Sequence, residues 1–317
     1  MAVEGIAVRV LCTLILVVLG LGMAPLLDGV SRKIKARLQY RYGPPVLQTF
    51  YDIAKLLGIE SVAPVKSMLF VAAPYVAFAS ALASVTVLPL GTFQPLSFTG
   101  DVFVWLYVLA MVSVSMMLAG FVVPNAYANI GANREMMLIL SIEPVLGLGI
   151  GILALLTRSL TIVGIARGIA TLPPYALILA LVAYVLLAYA IYVEGGFVPF
   201  DVAEAETEIL EGSLCEYSGR LLALFKLALL IKRFALVWFY ASLVAIPVAT
   251  SVANSTILQL FVAIVLQLAV TFAMYSGIAV SEALSARYRI DQVISLNTKI
   301  FFASLAMFVV TAVSSLG

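Results

Sequence analysis

Histidine is absent from the 317 residues, and only two cysteines, Cys12 and Cys215, are present. Without histidine, the chain has no histidine-based proton relay and no histidine ligand for haem or another metal. The two cysteines form no Cys-x-x-Cys pair, which argues against an iron–sulfur cluster or a structural zinc site. A glycine-rich phosphate loop is also missing. We therefore expect no catalytic or metal cofactor in this chain.

Charged residues are scarce as well, at 11% of the chain against 64% apolar residues. Soluble domains carry about 25% charged residues, so the composition indicates an integral membrane protein. We predict an all-α bundle of about eight transmembrane helices that forms a single membrane domain over residues 1–317. The predicted spans are 5–27, 68–90, 102–123, 136–156, 175–193, 221–248, 257–281 and 299–315. No internal repeat is visible, which argues against a stand-alone secondary transporter.

Lysine and arginine are distributed unequally between the two sets of connections. One set holds 12 of them and the opposite set holds 2. The positive-inside rule then places both termini outside the cell membrane and segments 28–66 and 194–220 in the cytoplasm.

Seven of the 16 acidic residues lie in segment 194–219. Helical spacing over 204–211 would place Asp201, Glu204, Glu208 and Glu211 on one stripe. Because like charges on a stripe repel, some must be protonated or paired with Lys or Arg. The segment is either a solvated acidic loop that docks a basic partner or a relay for protons or ions, and spacing alone does not separate the two.

Other charged residues lie within apolar spans. Glu143 directly precedes Pro144, and a carboxylate there is costly unless it is protonated, paired or beside water. Its alternative role is structural, facing a small packed cavity. Lys226, Lys232 and Arg233 in the sixth span are the expected partners of Glu143 and of the acidic segment.

Segment 32–60 is basic and lies directly after the first span. Gly43-Pro44-Pro45 predicts a turn, and 46–57 predicts a short amphipathic helix. Its apolar face would hold Leu47, Phe50, Ile53, Ala54 and Leu57. The segment either holds anionic lipid headgroups or forms a docking surface for a redox partner.

The acidic segment resembles a known signature. The membrane subunit that anchors the peripheral arm of respiratory complex I and of membrane-bound hydrogenases reads E-x-x-R-x-P-F-D-x-x-E-x-E-x-E-[LI]-x-x-G-x-x-x-E-Y-S-G. The matching residues here are Glu194, Pro199, Phe200, Asp201, Glu204, Glu206, Glu208, Gly212, Glu216, Tyr217, Ser218 and Gly219. The arginine of the pattern is replaced by Phe197.

Two further motifs carry the same resemblance, R-x-Q-x-R-x-G-P-[NP] with D-x-x-K-L-x-x-K-E, and R-x-R-x-D-Q before the last helix. The second lysine of D-x-x-K-L-x-x-K-E is Ile59 here. The resemblance implies an arm-docking interface, formed by Arg37, Arg41, Gly43, Pro44, Pro45, Asp52, Lys55, Glu60, Arg287, Arg289 and Asp291.

Segment 131–144 and the basic sixth span resemble the hydrogenase and sulfur reductase branch most. In that branch Arg134 and Glu135 would lie at a helix start. The resemblance implies a proton or ion pathway through Glu143, Asp201, Glu204, Glu206, Glu208, Glu211, Glu216, Lys226, Lys232, Arg233, Arg134 and Glu135.

It further implies a subunit that couples electron transfer to proton or sodium translocation without a redox cofactor of its own. The implied partners are a hydrogenase-like large subunit and an iron–sulfur subunit in the arm, with iron–sulfur clusters and a nickel–iron site there, and antiporter-like and small membrane subunits in the bilayer. No nucleic-acid partner is expected. The alternatives are a quinone-site subunit of a true complex I and a purely structural anchor.

Overall fold

The computed structural model describes the backbone of residues 2–253 and 255–316, and the side chains of 6–205, 208–253 and 255–314. The described part is all helical, apart from loops and one isolated bridge between Leu90 and Phe93. Its helices are α1 (Ala2–Leu38), α2 (Gln48–Gly58), α3 (Met68–Val87), α4 (Asp101–Val122), α5 (Ala126–Thr157), α6 (Ile162–Ile169), α7 (Pro174–Glu194), α8 (Glu206–Ile209), α9 (Gly219–Val252), α10 (Thr256–Leu284) and α11 (Ile290–Leu316).

Seven of these helices, α1, α3, α4, α5, α7, α10 and α11, are long and apolar enough to cross a membrane. The prediction of an all-α integral membrane protein is confirmed. Predicted span 221–248 lies in α9, which has 34 residues and is not among the seven. α9 carries Arg220, Lys226, Lys232 and Arg233, and much of its surface is covered by other helices.

Two helices begin or end far from the predicted span limits. α1 continues past the apolar run to Leu38 because no proline interrupts it there. α5 begins at Ala126, where the Asn125 side chain accepts a hydrogen bond from the Tyr127 amide. The prediction that Arg134 and Glu135 stand at the helix start is therefore wrong, because both lie in about the third turn.

α9 is the central helix of the bundle. It packs against α1, α3 and α10 along its length, and against the short helices α2 and α6. Trp105 of α4 stacks on Phe239 of α9 with ring centroids 4.2 Å apart, and both side chains are fully buried. A second group forms around α5, which packs against α4, α7 and α11. Apolar side chains such as Leu181 and Phe261 are exposed on the outside, as expected for a surface that faces lipid.

The predicted amphipathic helix is α2. Thr49 and Ile53 face the bundle, and the Thr49 hydroxyl donates a hydrogen bond to Asp28 at 2.8 Å. Leu47 and Leu57, predicted on the same buried face, are instead exposed. Only part of the apolar face of α2 therefore packs against the bundle, and the rest is exposed.

The predicted helix over 204–211 is wrong. α8 covers only Glu206–Ile209, and the next three residues, Leu210, Glu211 and Gly212, all have positive φ. Gly212 also has no room for a side chain, since a Cβ there would lie 2.3 Å from the Ala203 carbonyl oxygen. Residues 195–218 thus form a compact loop, here named the acidic loop.

The end of the acidic loop is held by uncharged contacts. The Tyr217 ring stacks on Phe70 of α3 at 4.1 Å, and its hydroxyl donates to the Phe70 carbonyl at 2.9 Å. The Ser218 hydroxyl accepts from the Val62 amide at 3.0 Å. Gly219 (φ 54°) passes so close to the Glu60 carbonyl oxygen that a Cβ would lie 2.6 Å from it. These contacts give Tyr217, Ser218 and Gly219 a structural role.

Candidate functional site

A buried ion pair lies at the centre of the charged residues. Lys232 Nζ of α9 is 2.6 Å from Glu194 Oε1 of α7, and both side chains are at most 5% exposed. Lys232 also donates to the Ser113 hydroxyl of α4 at 2.5 Å. Glu135 of α5 is buried, hydrogen bonds with Ser113, and lies in the electrostatic field of Lys232. Four helices thus bring one ammonium and two carboxylates together, here named the buried centre.

Glu194 has one further property. Among the described residues, its second oxygen, Oε2, is buried and has no hydrogen-bond partner. An unpaired buried carboxylate oxygen is costly unless it carries a proton or meets water.

Arg233 connects the buried centre to the acidic loop. Its guanidinium donates to the carbonyl oxygens of Gly195 at 2.7 Å and Gly196 at 3.1 Å, and lies 3.9 Å from Glu204 Oε2. It also lies over the Phe197 ring, 5.2 Å from the ring centroid. Phe197, which replaces the arginine of the family pattern, therefore places an aromatic ring beneath Arg233.

The other described carboxylates of the acidic loop have separate polar partners. The ion pairs are Glu208 with Arg134 at 2.7 Å, Asp201 with Arg287 at 3.0 Å, and Glu211 with Lys226 at 3.5 Å. Glu216 accepts a hydrogen bond from Asn125 at 2.5 Å. The side chain of Glu206 lies outside the described residues. Pairing with cations from different elements replaces the single acidic stripe that helical spacing predicts.

Glu204 has a perturbed acidity. Burial raises the pKa of Glu204 to about 7, even though Arg233 favours the charged form; the negative charges of Asp201, Glu135 and Glu211 raise it further. A carboxyl group with this pKa exchanges a proton near neutral pH.

A cavity of about 720 Å³ opens beside the acidic loop. Six cationic and six acidic side chains line it: Arg32, Lys35, Lys55, Lys226, Arg233, Arg287, Asp28, Asp52, Asp201, Glu204, Glu211 and Glu282. We name it the charged cavity. A second cavity of about 30 Å³ is lined by the carboxylates and ammonium of the buried centre. Five residues line both cavities and separate the buried centre from the charged cavity: Gly196, Asp201, Glu204, Leu229 and Arg233.

Glu143 lies about two turns after Glu135 on α5 and is half-buried. Among the described residues it makes no hydrogen bond or ion pair, so its predicted pairing with a cation of α9 is wrong. Lys232 is held by Glu194 instead, although Glu143 remains in the electrostatic field of both.

Sequence reasoning counted Glu194 among the acidic residues but did not place it in the pathway. The available signal was its position at the end of a long apolar run. Ser113 gave no signal, because a serine in an apolar helix is ordinary until its neighbours are known.

The predicted arm-docking residues fall into three groups. In the first group, Arg37 and Arg41 line a cavity of about 370 Å³ whose wall includes Gly43, Pro44 and Pro45. Lys33, which was not among the predicted residues, also lines it. We name it the basic cavity.

The second group lies on and after α2, where Lys55 and Glu60 are exposed and Asp52 is 3.4 Å from Arg32. In the third group Arg289 and Asp291 form an exposed pair at 3.3 Å. Arg287 lies apart from them, against Asp201 in the charged cavity.

The described residues contain no group of three or more His, Cys, Asp and Glu placed to hold a metal ion. The charged groups that line the two cavities are carboxylates and ammonium groups, which can hold and pass protons, and guanidinium groups, which remain charged.

Comparisons with known proteins place the chain in one family. A family model described as NADH dehydrogenase matches residues 10–313. Formate hydrogenlyase subunit 4 of Escherichia coli is 37% identical over 274 residues, covering 85% of this chain and 88% of that protein. Hydrogenase-4 component C of Escherichia coli is 38% identical over 225 residues, covering 70% of each chain. A chain from the structure of the membrane-bound sulfane sulfur reductase, an archaeal respiratory membrane complex, superposes with a TM-score of 0.80 over 98% of this chain and 99% of that one. At 22% identity this likeness shows the fold.

Proposed function

The chain belongs to the NADH dehydrogenase family, and from that premise we propose that it anchors a cytoplasmic redox arm and couples electron transfer there to proton or sodium translocation. It is a subunit of an oxidoreductase complex rather than the part that carries out the redox chemistry. Its similarity to membrane subunits of formate hydrogenlyase and hydrogenase-4 supports the hydrogenase-related branch.

The observation that carries the proposal is the buried centre. Two carboxylates, Glu194 and Glu135, share one ammonium, Lys232, inside the bundle. In a medium of low dielectric such a cluster is most stable when its net charge is zero. This requires that Lys232 is charged and that one of the two carboxylates is protonated. The centre therefore has a place for one exchangeable proton, and Glu194 Oε2 is an unpaired atom that could receive it.

The acidic loop supplies the connection to water. Glu204 exchanges a proton with the charged cavity near neutral pH. A proton on Glu204 weakens its attraction to Arg233, which changes the field at Lys232 and Glu194. Two unit charges ~6 Å apart interact by about 3 kcal/mol at an effective dielectric of ~20, which is about two pKa units. A shift of that size is enough to move a proton into or out of the buried centre.

The arm and its cofactors belong to partners. We propose a hydrogenase-like large subunit and an iron–sulfur subunit on the cytoplasmic side, docked at the basic cavity and at Arg289 and Asp291. Iron–sulfur clusters and a nickel–iron site would lie in those subunits. Antiporter-like and small membrane subunits would extend the path from Glu143 through the bilayer. Both termini would be outside the cell membrane, as the 12-to-2 distribution of basic residues predicts.

The test compares ions moved with electrons transferred in sealed vesicles that contain the complete complex. Glu143→Gln keeps the shape of the side chain but cannot exchange a proton, and Lys226→Met removes the partner of Glu211. Both variants should assemble and transfer electrons in detergent, with a strongly reduced ratio of ions to electrons. Lys299→Met, an exposed cation of α11, is the matched control. An unchanged ratio in both test variants would leave the chain as a structural anchor.

A quinone site is the second candidate, favoured by the size of the charged cavity, since small-molecule sites occupy about 300–1,000 Å³. Such sites are mostly apolar, whereas twelve charged side chains line this one. Leu230 also lines the charged cavity. Binding of a short-chain quinone to the complex, lost on blocking the cavity with Leu230→Trp, would support this candidate over a water-filled cavity.

A further inference from the structure

A second ion pair bridges the wall of the charged cavity. Lys35 Nζ of α1 lies 2.7 Å from Glu282 Oε2 of α10, and the Glu282 side chain is 9% exposed. Neither residue belongs to the pathway or to the docking groups described above. Glu282 also lies in the electrostatic field of Arg233.

The other oxygen of Glu282 contacts the acidic loop. Glu282 Oε1 accepts a hydrogen bond from the Val198 amide at 3.3 Å, so both carboxylate oxygens are used. Two more contacts hold the same stretch of the loop: the Tyr288 amide donates to the Pro199 carbonyl at 3.0 Å, and Arg287 pairs with Asp201. Hydrogen bonds and an ion pair therefore connect the start of the acidic loop to residues 282–288. Glu282 also connects these residues to α1 through its ion pair with Lys35.

The last turns of α1 contact both cavities. Lys33 and Arg37 line the basic cavity, whereas Lys35 lines the charged cavity. Side chains two residues apart on a helix point about 200° away from each other. Lys35 therefore faces the charged cavity, whereas Lys33 and Arg37 face the basic cavity on the other side of α1. A shift of α1 at the basic cavity must therefore displace Lys35 at the same time, since the helix backbone is rigid over two turns.

We propose that Lys35 and Glu282 are positioning residues for coupling: they transmit the position of α1 at the docked arm to the start of the acidic loop. This inference rests on the proposed function. When α1 shifts, Glu282 follows its ammonium partner and moves Val198, which precedes the carboxylates Asp201 and Glu204. A change in the distance between Glu282 and Arg233 would also change the electrostatic field at Arg233.

The alternative is that the pair only stabilises the bundle. The other charged groups nearby in the charged cavity are Asp28 and Arg32 on α1, Arg233 on α9, Asp201 in the acidic loop and Arg287 after α10. Loss of one partner would then lower the amount of assembled complex, but each assembled complex would still move its full number of ions.

The experiment uses the complete complex with Lys35→Met, Glu282→Gln, the double variant, and Lys35→Arg, which keeps the cation. The readouts are arm retention, electron transfer in detergent and the ion-to-electron ratio in sealed vesicles. We expect each single variant to lower the ratio about twofold or more with electron transfer retained. The double variant should be no worse than either single one, because both remove the same pair. Lys35→Arg should restore the ratio, and Lys299→Met is the control.

Two outcomes would overturn the inference. One is a ratio that stays at the wild-type value in Lys35→Met and Glu282→Gln. The other is a pair of additive losses, which would show that the two residues act separately. If Glu143→Gln lowers the ratio while these variants do not, the inference fails and the proposed function stands. If none of them lowers it, the proposed function fails as well.

Discussion

Lys232 and Glu194 form an ion pair at 2.6 Å between α9 and α7, with both side chains almost completely removed from solvent. Taking two charges out of water costs several kcal/mol per ion, and only close geometry with additional hydrogen bonds compensates for it. Ser113 supplies one such bond to Lys232, whereas Glu194 Oε2 has none among the described residues. The pair is thus incompletely compensated, a property expected of a group that changes its protonation state during function.

The stability of the subunit should depend on the ion pair between Lys232 and Glu194. Lys232→Met leaves Glu194 buried without its cation and should destabilise the subunit by about 3–5 kcal/mol. Adding Glu194→Gln removes the uncompensated charge and should recover most of that loss. The measurement is the thermal unfolding midpoint of the purified complex, followed by release of this subunit. A double variant as unstable as Lys232→Met alone would contradict the expectation.

Glu204 should titrate near neutral pH. Because its pKa is raised by burial to about 7 in the folded protein, it binds a proton more tightly folded than unfolded. Its contribution to stability is therefore fully present below the unfolded pKa of about 4.5 and is lost as the pH rises through about 7. Infrared difference spectra should show a protonated carboxyl band that disappears over this range. Glu204→Gln should remove the band, and a band that persists in this variant would assign it to another carboxyl group.

The basic cavity should hold the arm through charge. Arg37→Ala with Arg41→Ala removes two of the three cations that line it, and should release the arm at a lower salt concentration than in the wild type. Sedimentation of vesicles over a salt series measures how much arm remains bound. Lys66→Ala, an exposed cation outside the cavity, is the control. If the double variant keeps its arm at high salt, the cavity binds lipid headgroups instead.

Cys215 reports the orientation of the acidic loop. In a Cys12→Ser background, a membrane-impermeant thiol reagent should react with Cys215 from the cytoplasmic side only, once the arm is stripped away. Burial raises the pKa of the Cys215 thiol, so the rate should increase with pH above neutrality. Labelling of intact cells from outside would reverse the proposed topology.

The sequence predicted the fold more completely than the contacts of the site. Long apolar runs and the lack of charge were sufficient for the membrane helices, because lipid-facing backbone must be helical. Helix propensity predicts a helix over 204–211, whereas the close approach at Gly212 and four separate cation partners determine the path of the acidic loop. Those partners come from α5, α9 and the stretch before α11, which are far apart in sequence. Only three-dimensional packing decides which carboxylate pairs with Lys232. For this reason the predicted pathway omits Glu194 and gives Glu143 the wrong partner.

The two ends of the acidic loop are attached by different kinds of contact. At its carboxyl end, ring stacking and backbone hydrogen bonds through Tyr217 and Ser218 involve no charged group. At its amino end, Glu282, Arg233 and Arg287 hold the chain through charged side chains. The contacts of Tyr217 and Ser218 contain no charge for salt to screen, so we expect the carboxyl end to act as a fixed pivot. We then expect any excursion of the loop to be a swing of its amino end about that pivot, towards or away from the charged cavity.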